Sequence, residues 1–180
     1  VCEFEGRKQM CIQPMKKDQD TQKNARDILT FYAMQEDTRE DRHQFWQDRA
    51  RQLLQSYRTM KKQAERAAGP LPDALEVLDQ SLQQRKQGFD LEGILQNPNS
   101  CASVCRYIEY RMQQYQVAAD KRDAERRRWS VLYSRYLAPC PLGRVQLCAQ
   151  EFISKSTLYR DESAALERLS VLLFGVVAGM

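Results

Sequence analysis

The chain has 180 residues, of which 29% are charged, and its mean hydropathy is −0.69. That leaves room for one domain with at most a small appended piece, and such polarity suits long helices with a narrow apolar seam better than a thick core. The net charge of +4 has both signs interleaved, unlike the segregated basic stripe of most nucleic-acid binders.

Residues 1–17 show no helical period and read as an irregular arm closed by Cys2 and Cys11. From Asp18 or Asp20, either a plausible N-cap, a helix is expected to run to about residue 68. Its seam is Ala25, Leu29, Tyr32, Glu36, Arg39, His43, Trp46, Ala50, Leu53, Tyr57, Met60, Ala64 and Ala67, in alternating steps of four and three. At 1.5 Å per residue it would be roughly 75 Å long. Gly69-Pro70 should stop it. A short helix over 72–87 continues the seam through Leu71, Leu75, Leu78 and Leu82, and "FDLEGIL" adds a turn before Pro98. A second long helix is expected over 100–137, seamed by Val104, Ile108, Tyr115, Ala118, Arg122, Trp129, Leu132 and Tyr136. "APCPLG" ends it. Two shorter helices, about 143–158 and 162–177, complete a C-terminal segment, 138–180, that closes on an apolar tail. Nothing reads as a strand.

These lengths predict an all-α fold. It is an elongated antiparallel helical hairpin over 18–137, resembling a coiled coil, with shorter C-terminal helices and disulfide clamps. The first arm is polar in mid-seam, at Glu36, Arg39 and His43, and the second carries Arg111 and Arg122 alongside. A charged layer of this kind fixes register, with Glu36 paired to Arg122 or Arg111, unless this stretch is simply an exposed mid-section. The basic run from Lys121 to Arg128 reads as a solvated helix face.

The six cysteines fall in close pairs, Cys2/Cys11, Cys101/Cys105 and Cys140/Cys148. Zinc needs about four N or S ligands, and with one histidine the set does not close. A straight 100–137 helix would hold its ends roughly 50 Å apart, whereas a disulfide needs Cα atoms within about 7 Å. Three local bridges are therefore expected. The alternatives are bridges from Cys2 and Cys11 to Cys140 and Cys148, or six free thiols. An even cysteine count and a chain that begins at Val1 are consistent with an extracytoplasmic protein, secreted or periplasmic, from which a leading segment has been removed.

No catalytic residue, metal or cofactor is expected. Glu40-x-x-His43 matches half of a di-iron bundle site, which one histidine cannot complete. No nucleophile elbow or Gly-rich phosphate loop occurs. The tail from 171 to 180 carries no charge, yet it falls short of the about 20 residues that span a bilayer. Leu172, Leu173, Phe174, Val176 and Val177 are thus expected to contact a partner or a membrane through 169–180, or to plug the bundle itself.

The outline resembles helical extracytoplasmic subunits of bacterial secretion or surface assemblies, an analogy of shape that no motif carries. The expected function is a non-enzymatic structural or adhesive subunit whose partners are other protein subunits, a homo-oligomer included. The alternatives are a membrane-associated protein anchored by its tail and a cytosolic helical nucleic-acid binder.

Overall fold

A computed structural model describes residues 39–83 and 89–175, with side chains from Gln44 onward. Every regular element among them is helical. The first is α1, Arg39–Ala64. Trp46, Ala50, Leu53, Tyr57 and Met60 follow the expected seam and are buried, and Leu54 beside them widens it. Past its end, Gly69 takes the left-handed conformation, at φ 81°, and Pro70 follows. A Cβ disfavours that conformation, so glycine is the natural residue there.

The next helix, α2 (Ala74–Gln83), starts where the Asp73 carboxylate accepts from the amides of Leu75, at 2.7 Å, and Glu76, at 3.3 Å. It buries Val77, Leu78 and Leu82. A single-turn helix, α3 (Leu91–Gln96), is capped by Asp90. Then α4 (Pro98–Ala119) opens on Asn97, whose side chain accepts from the Asn99 and Ser100 amides. It runs antiparallel to α1. Asn99 bonds both the N–H and the C=O of Ala68, each at 3.0 Å, and further along the Tyr57 hydroxyl donates to Glu109 at 2.6 Å.

The continuous 100–137 helix expected from periodicity does not form. Ala119 ends α4, Arg122 is extended, and α5 starts at Asp123 and runs to Leu132. The chain reverses there. The Tyr115 hydroxyl meets Glu125 at 3.4 Å, and the Trp129 indole N–H donates to the Met112 carbonyl at 3.1 Å. Such pairs form only if α5 comes back along α4. Neither Pro nor Gly makes the break. Arg126 lies across it, donating to the Asp120 carbonyl at 2.9 Å and pairing with Asp123 at 3.4 Å. Asp123 and Glu125 then sit in the first turn of α5, where acid complements the helix dipole. Consequently Ala118 and Arg122 are exposed and Ala119 is buried in their place. Among the described residues the second arm of the expected hairpin is thus folded back, and the helices pack as a bundle.

A π-helical turn, Tyr133–Leu137, leads to the Pro139/Pro141 loop, where Arg58 of α1 donates to the Ala138 carbonyl. The last two helices are α6 (Arg144–Gln150) and α7 (Lys155–Phe174). The α7 start is fixed by Ser154, whose hydroxyl accepts from the Thr157 amide at 3.1 Å, and its end by Gly175 at φ 65°. Leu166, Leu169, Leu173 and Phe174 of α7 join α1, α2, α3 and α4 in the main core. A second small core of Val131, Leu147 and Leu158 seats α6 against α5 and α7.

Candidate functional site

The densest polar chemistry among the described side chains lies between α5 and α7. Asp161 and Glu162 are 4% and 6% exposed. Arg127 Nε is 2.7 Å from one Asp161 oxygen, and Arg128 Nε is 3.5 Å from the other. Arg128 also pairs with Glu125. Glu162 accepts from Arg135 Nε at 3.0 Å and from the Tyr136 hydroxyl at 2.7 Å. Arg168 Nε reaches Glu125 at 3.9 Å, and Ser130 donates to Glu151 at 2.7 Å. A hydrogen bond to Asp161 raises the pKa of Arg127. Burial raises that of Tyr136, with Glu162 adding to it, and burial with Glu125 does the same at Tyr115. Asp161, Glu162 and Glu125 each face at least one arginine.

This layer corrects the reading of 121–128 as a solvated face. Lys121, Arg122 and Arg126 are exposed, but Arg127 and Arg128 turn inward onto Asp161. The sequence held one usable signal. Glu162 stands at a seam position, four residues after Leu158 and three before Ala165, and a carboxylate there demands a cation from the facing helix.

The register layer expected on α1 is only partly in view. Glu36 and the side chains of Arg39 and His43 lie outside the described residues. Arg111 bonds Gln114 at 2.7 Å on its own helix, with its guanidinium over the rings of Tyr107 and Tyr110. Arg122 is exposed at the reversal.

A smaller polar group joins α1 and α4. Glu109 accepts from Tyr57 and Lys61. Burial pushes the Tyr57 pKa up, and Glu109 adds to it. At Glu109 burial works to raise the pKa, yet the bonds from Lys61 and Tyr57 outweigh it and the carboxyl lies lower than usual. A carboxyl lowered on folding adds stability above its unfolded pKa and loses it as pH falls through the folded one.

The expected clamps at Cys101–Cys105 and Cys140–Cys148 are not found. All four thiols are free. The first bridge needed a frayed helix start, whereas α4 begins at Pro98 and carries both cysteines in regular helix. Their sulfurs point to different elements. Cys101 donates to the Ile94 carbonyl at 3.1 Å and Cys105 to the Tyr57 carbonyl at 3.9 Å. The 50 Å separation from Cys140 and Cys148 assumed a straight helix and lapses at the reversal. Cys2 and Cys11 lie outside the described residues. Burial pushes the Cys105 thiol up to about 12, so little reactive thiolate forms at neutral pH. In a Cys2→Ser/Cys11→Ser background, a thiol-reactive dye should label exposed Cys140 first. Cys101 and Cys105 should be labelled only on unfolding, and fast native labelling of either would contradict their burial.

Leu173 and Phe174, expected at a partner, at a membrane or as a plug of the bundle, are 0% and 1% exposed inside the main core, while Leu172 is half-buried against it. Val176 and Val177 lie outside the described residues. No described helix is long and apolar enough to cross a membrane. Among the described residues no group of three or more His, Cys, Asp or Glu side chains is placed to hold a metal ion.

The fold and this polar layer define an all-α bundle with its ionic groups turned between helices. No family model, curated protein or solved structure matches the chain.

Proposed function

We propose that the chain is a non-enzymatic structural or adhesive helical subunit of a larger protein assembly. The observation that carries this reading is the engagement of the buried carboxylates. Asp161 and Glu162 of α7 are both bound by arginines of α5 and the turn that follows it. Catalytic carboxylates need access to substrate. Here burial and arginine pairing direct these groups to holding helices together. The outer faces present large side chains to partners instead. Tyr110 and Val117 stand on one side of α4, at 54% and 65% exposure, separated by seven residues and hence two turns.

An extracytoplasmic setting belongs to this reading on the even cysteine count alone; counting the thiols of the unfolded full chain with and without reductant tests it, and six free thiols without reductant would remove it. The assembly itself is tested by light scattering and chemical crosslinking of the full chain over a range of concentrations and in its native extract. Discrete complexes larger than one chain are expected, weakened by Tyr110→Ser/Val117→Ser. A chain that is monomeric throughout and crosslinks to nothing would overturn the proposal.

A further inference from the structure

At the end of α6 a local rule is broken. Ile153 N–H bonds the Cys148 carbonyl at 3.1 Å, which is the long hydrogen bond of a Schellman helix stop. The residue that follows the helix cap must then be left-handed, and glycine normally fills it. This chain has Phe152, at φ 52°. A side chain there costs about 1–2 kcal/mol. No compensating burial is visible, since Phe152 is 94% exposed. Val145, on the outer face of the same helix, is 84% exposed. Helix and stop are held rigidly from beneath, because Leu147 sits in the small core and Ile153 packs on it. A strained backbone thus presents an aromatic ring outward from a fixed base.

The exposed charge of this stretch of chain is one-sided. From Ala138 to Arg160 the chain carries Arg144, Lys155 and Arg160 against a single acid, Glu151. The three bases are exposed. Glu151 is turned inward to accept from Ser130. The Arg144 guanidinium lies 4.8 Å over the ring of Tyr159, which is 41% exposed.

We propose that this corner is a docking surface for an anionic lipid bilayer. Phe152 and Val145 enter the headgroup–acyl boundary while Arg144, Lys155 and Arg160 meet lipid phosphates. The occupant follows from shape and charge together. The apolar groups, Phe152 and Val145, are two separate side chains that stand almost wholly in solvent. A folded partner would need a matched pocket for each, whereas a fluid interface accommodates them and supplies the negative charge that the bases lack. This goes beyond the structural role proposed above and does not depend on it.

Co-sedimentation of the full chain with vesicles tests it. Binding is expected to phosphatidylcholine–phosphatidylserine vesicles at low salt, to fall as salt rises, and to be weak on phosphatidylcholine alone. Phe152→Gly should weaken it roughly tenfold, the worth of burying one such side chain. The same change should raise the thermal midpoint by roughly 2–4 °C by relieving the backbone, so lost binding is not lost fold. Phe152→Trp should restore binding, with an emission blue shift on anionic vesicles. Three results would overturn the proposal. They are no preference for anionic vesicles, undiminished binding by Phe152→Gly, or a Phe152→Gly effect confined to self-association, which would assign the corner to a second copy of the chain.

Discussion

Asp161→Ala is expected to lower the unfolding free energy by about 2–3 kcal/mol, measured by urea denaturation. Breaking a buried ion pair by removing one partner typically costs about 3–5 kcal/mol. The effect here should fall below that range, because the Arg127 and Arg128 side chains are each 34% exposed and can swing into water. Arg128 also keeps Glu125. Asp161→Asn should cost less than Asp161→Ala, since the amide retains the shape and one acceptor oxygen. The paired change Asp161→Ala/Arg127→Ala should cost less than the sum of the two single changes, because it removes the stranded cation as well. By contrast, Asp123→Ala removes a carboxylate that is 97% exposed, and such positions usually stay within about 0.5 kcal/mol. If Asp161→Ala behaved like Asp123→Ala, the α5–α7 layer would have no structural weight. The reading of the molecule as a helical support would lose its main observation with it.

What the sequence discloses about this fold divides along physical lines. Seams are legible because burial repeats with the helix. Trp46, Ala50, Leu53, Tyr57 and Met60 needed only counting. Stops made by backbone chemistry are equally legible, as Gly69-Pro70 and the run from Pro139 show. The reversal at 120–122 is not, because no residue there forbids helix, and a side-chain bond such as that from Arg126 to the Asp120 carbonyl leaves no periodic mark. Its only trace is a charge switch, Lys121-Arg122 at one helix end and Asp123 and Glu125 at the next start. That one turn separates a long hairpin from a bundle and sends the α5 arginines to face α7. The polar layer is hidden for the same reason, since Arg127, Arg128 and Arg135 meet Asp161 and Glu162 only when the chain has come back. The same holds for the cysteines. Even spacing says nothing of direction, and Cys101 and Cys105 turn to Ile94 and Tyr57.

The tail gives the other large expected effect. Apolar residues at a chain end read equally well as anchor, partner face or core, and only the packing decides. Phe174 lies with its ring centroid 5.0 Å from that of Trp46, tilted by 38°, and both are buried. One residue earlier the Tyr107 hydroxyl donates to the Leu173 carbonyl at 2.6 Å, tying the last turn of α7 to α4. Phe174→Ala should therefore cost about 3 kcal/mol, at the lower end for a buried phenylalanine because a helix end relaxes into the space. Leu172→Ala, at a half-buried position, should cost less. In a Trp129→Phe background, Trp46 reports the site directly. Its emission should shift to the red in Phe174→Ala as water reaches the indole, and not in Leu172→Ala. Unchanged stability together with unchanged emission would place Phe174 outside the core and free the end of α7 for a partner or a membrane. The expected loss would instead make the charge-free end of α7 part of what holds the bundle closed, leaving outer faces such as that of Tyr110 and Val117 to meet other molecules.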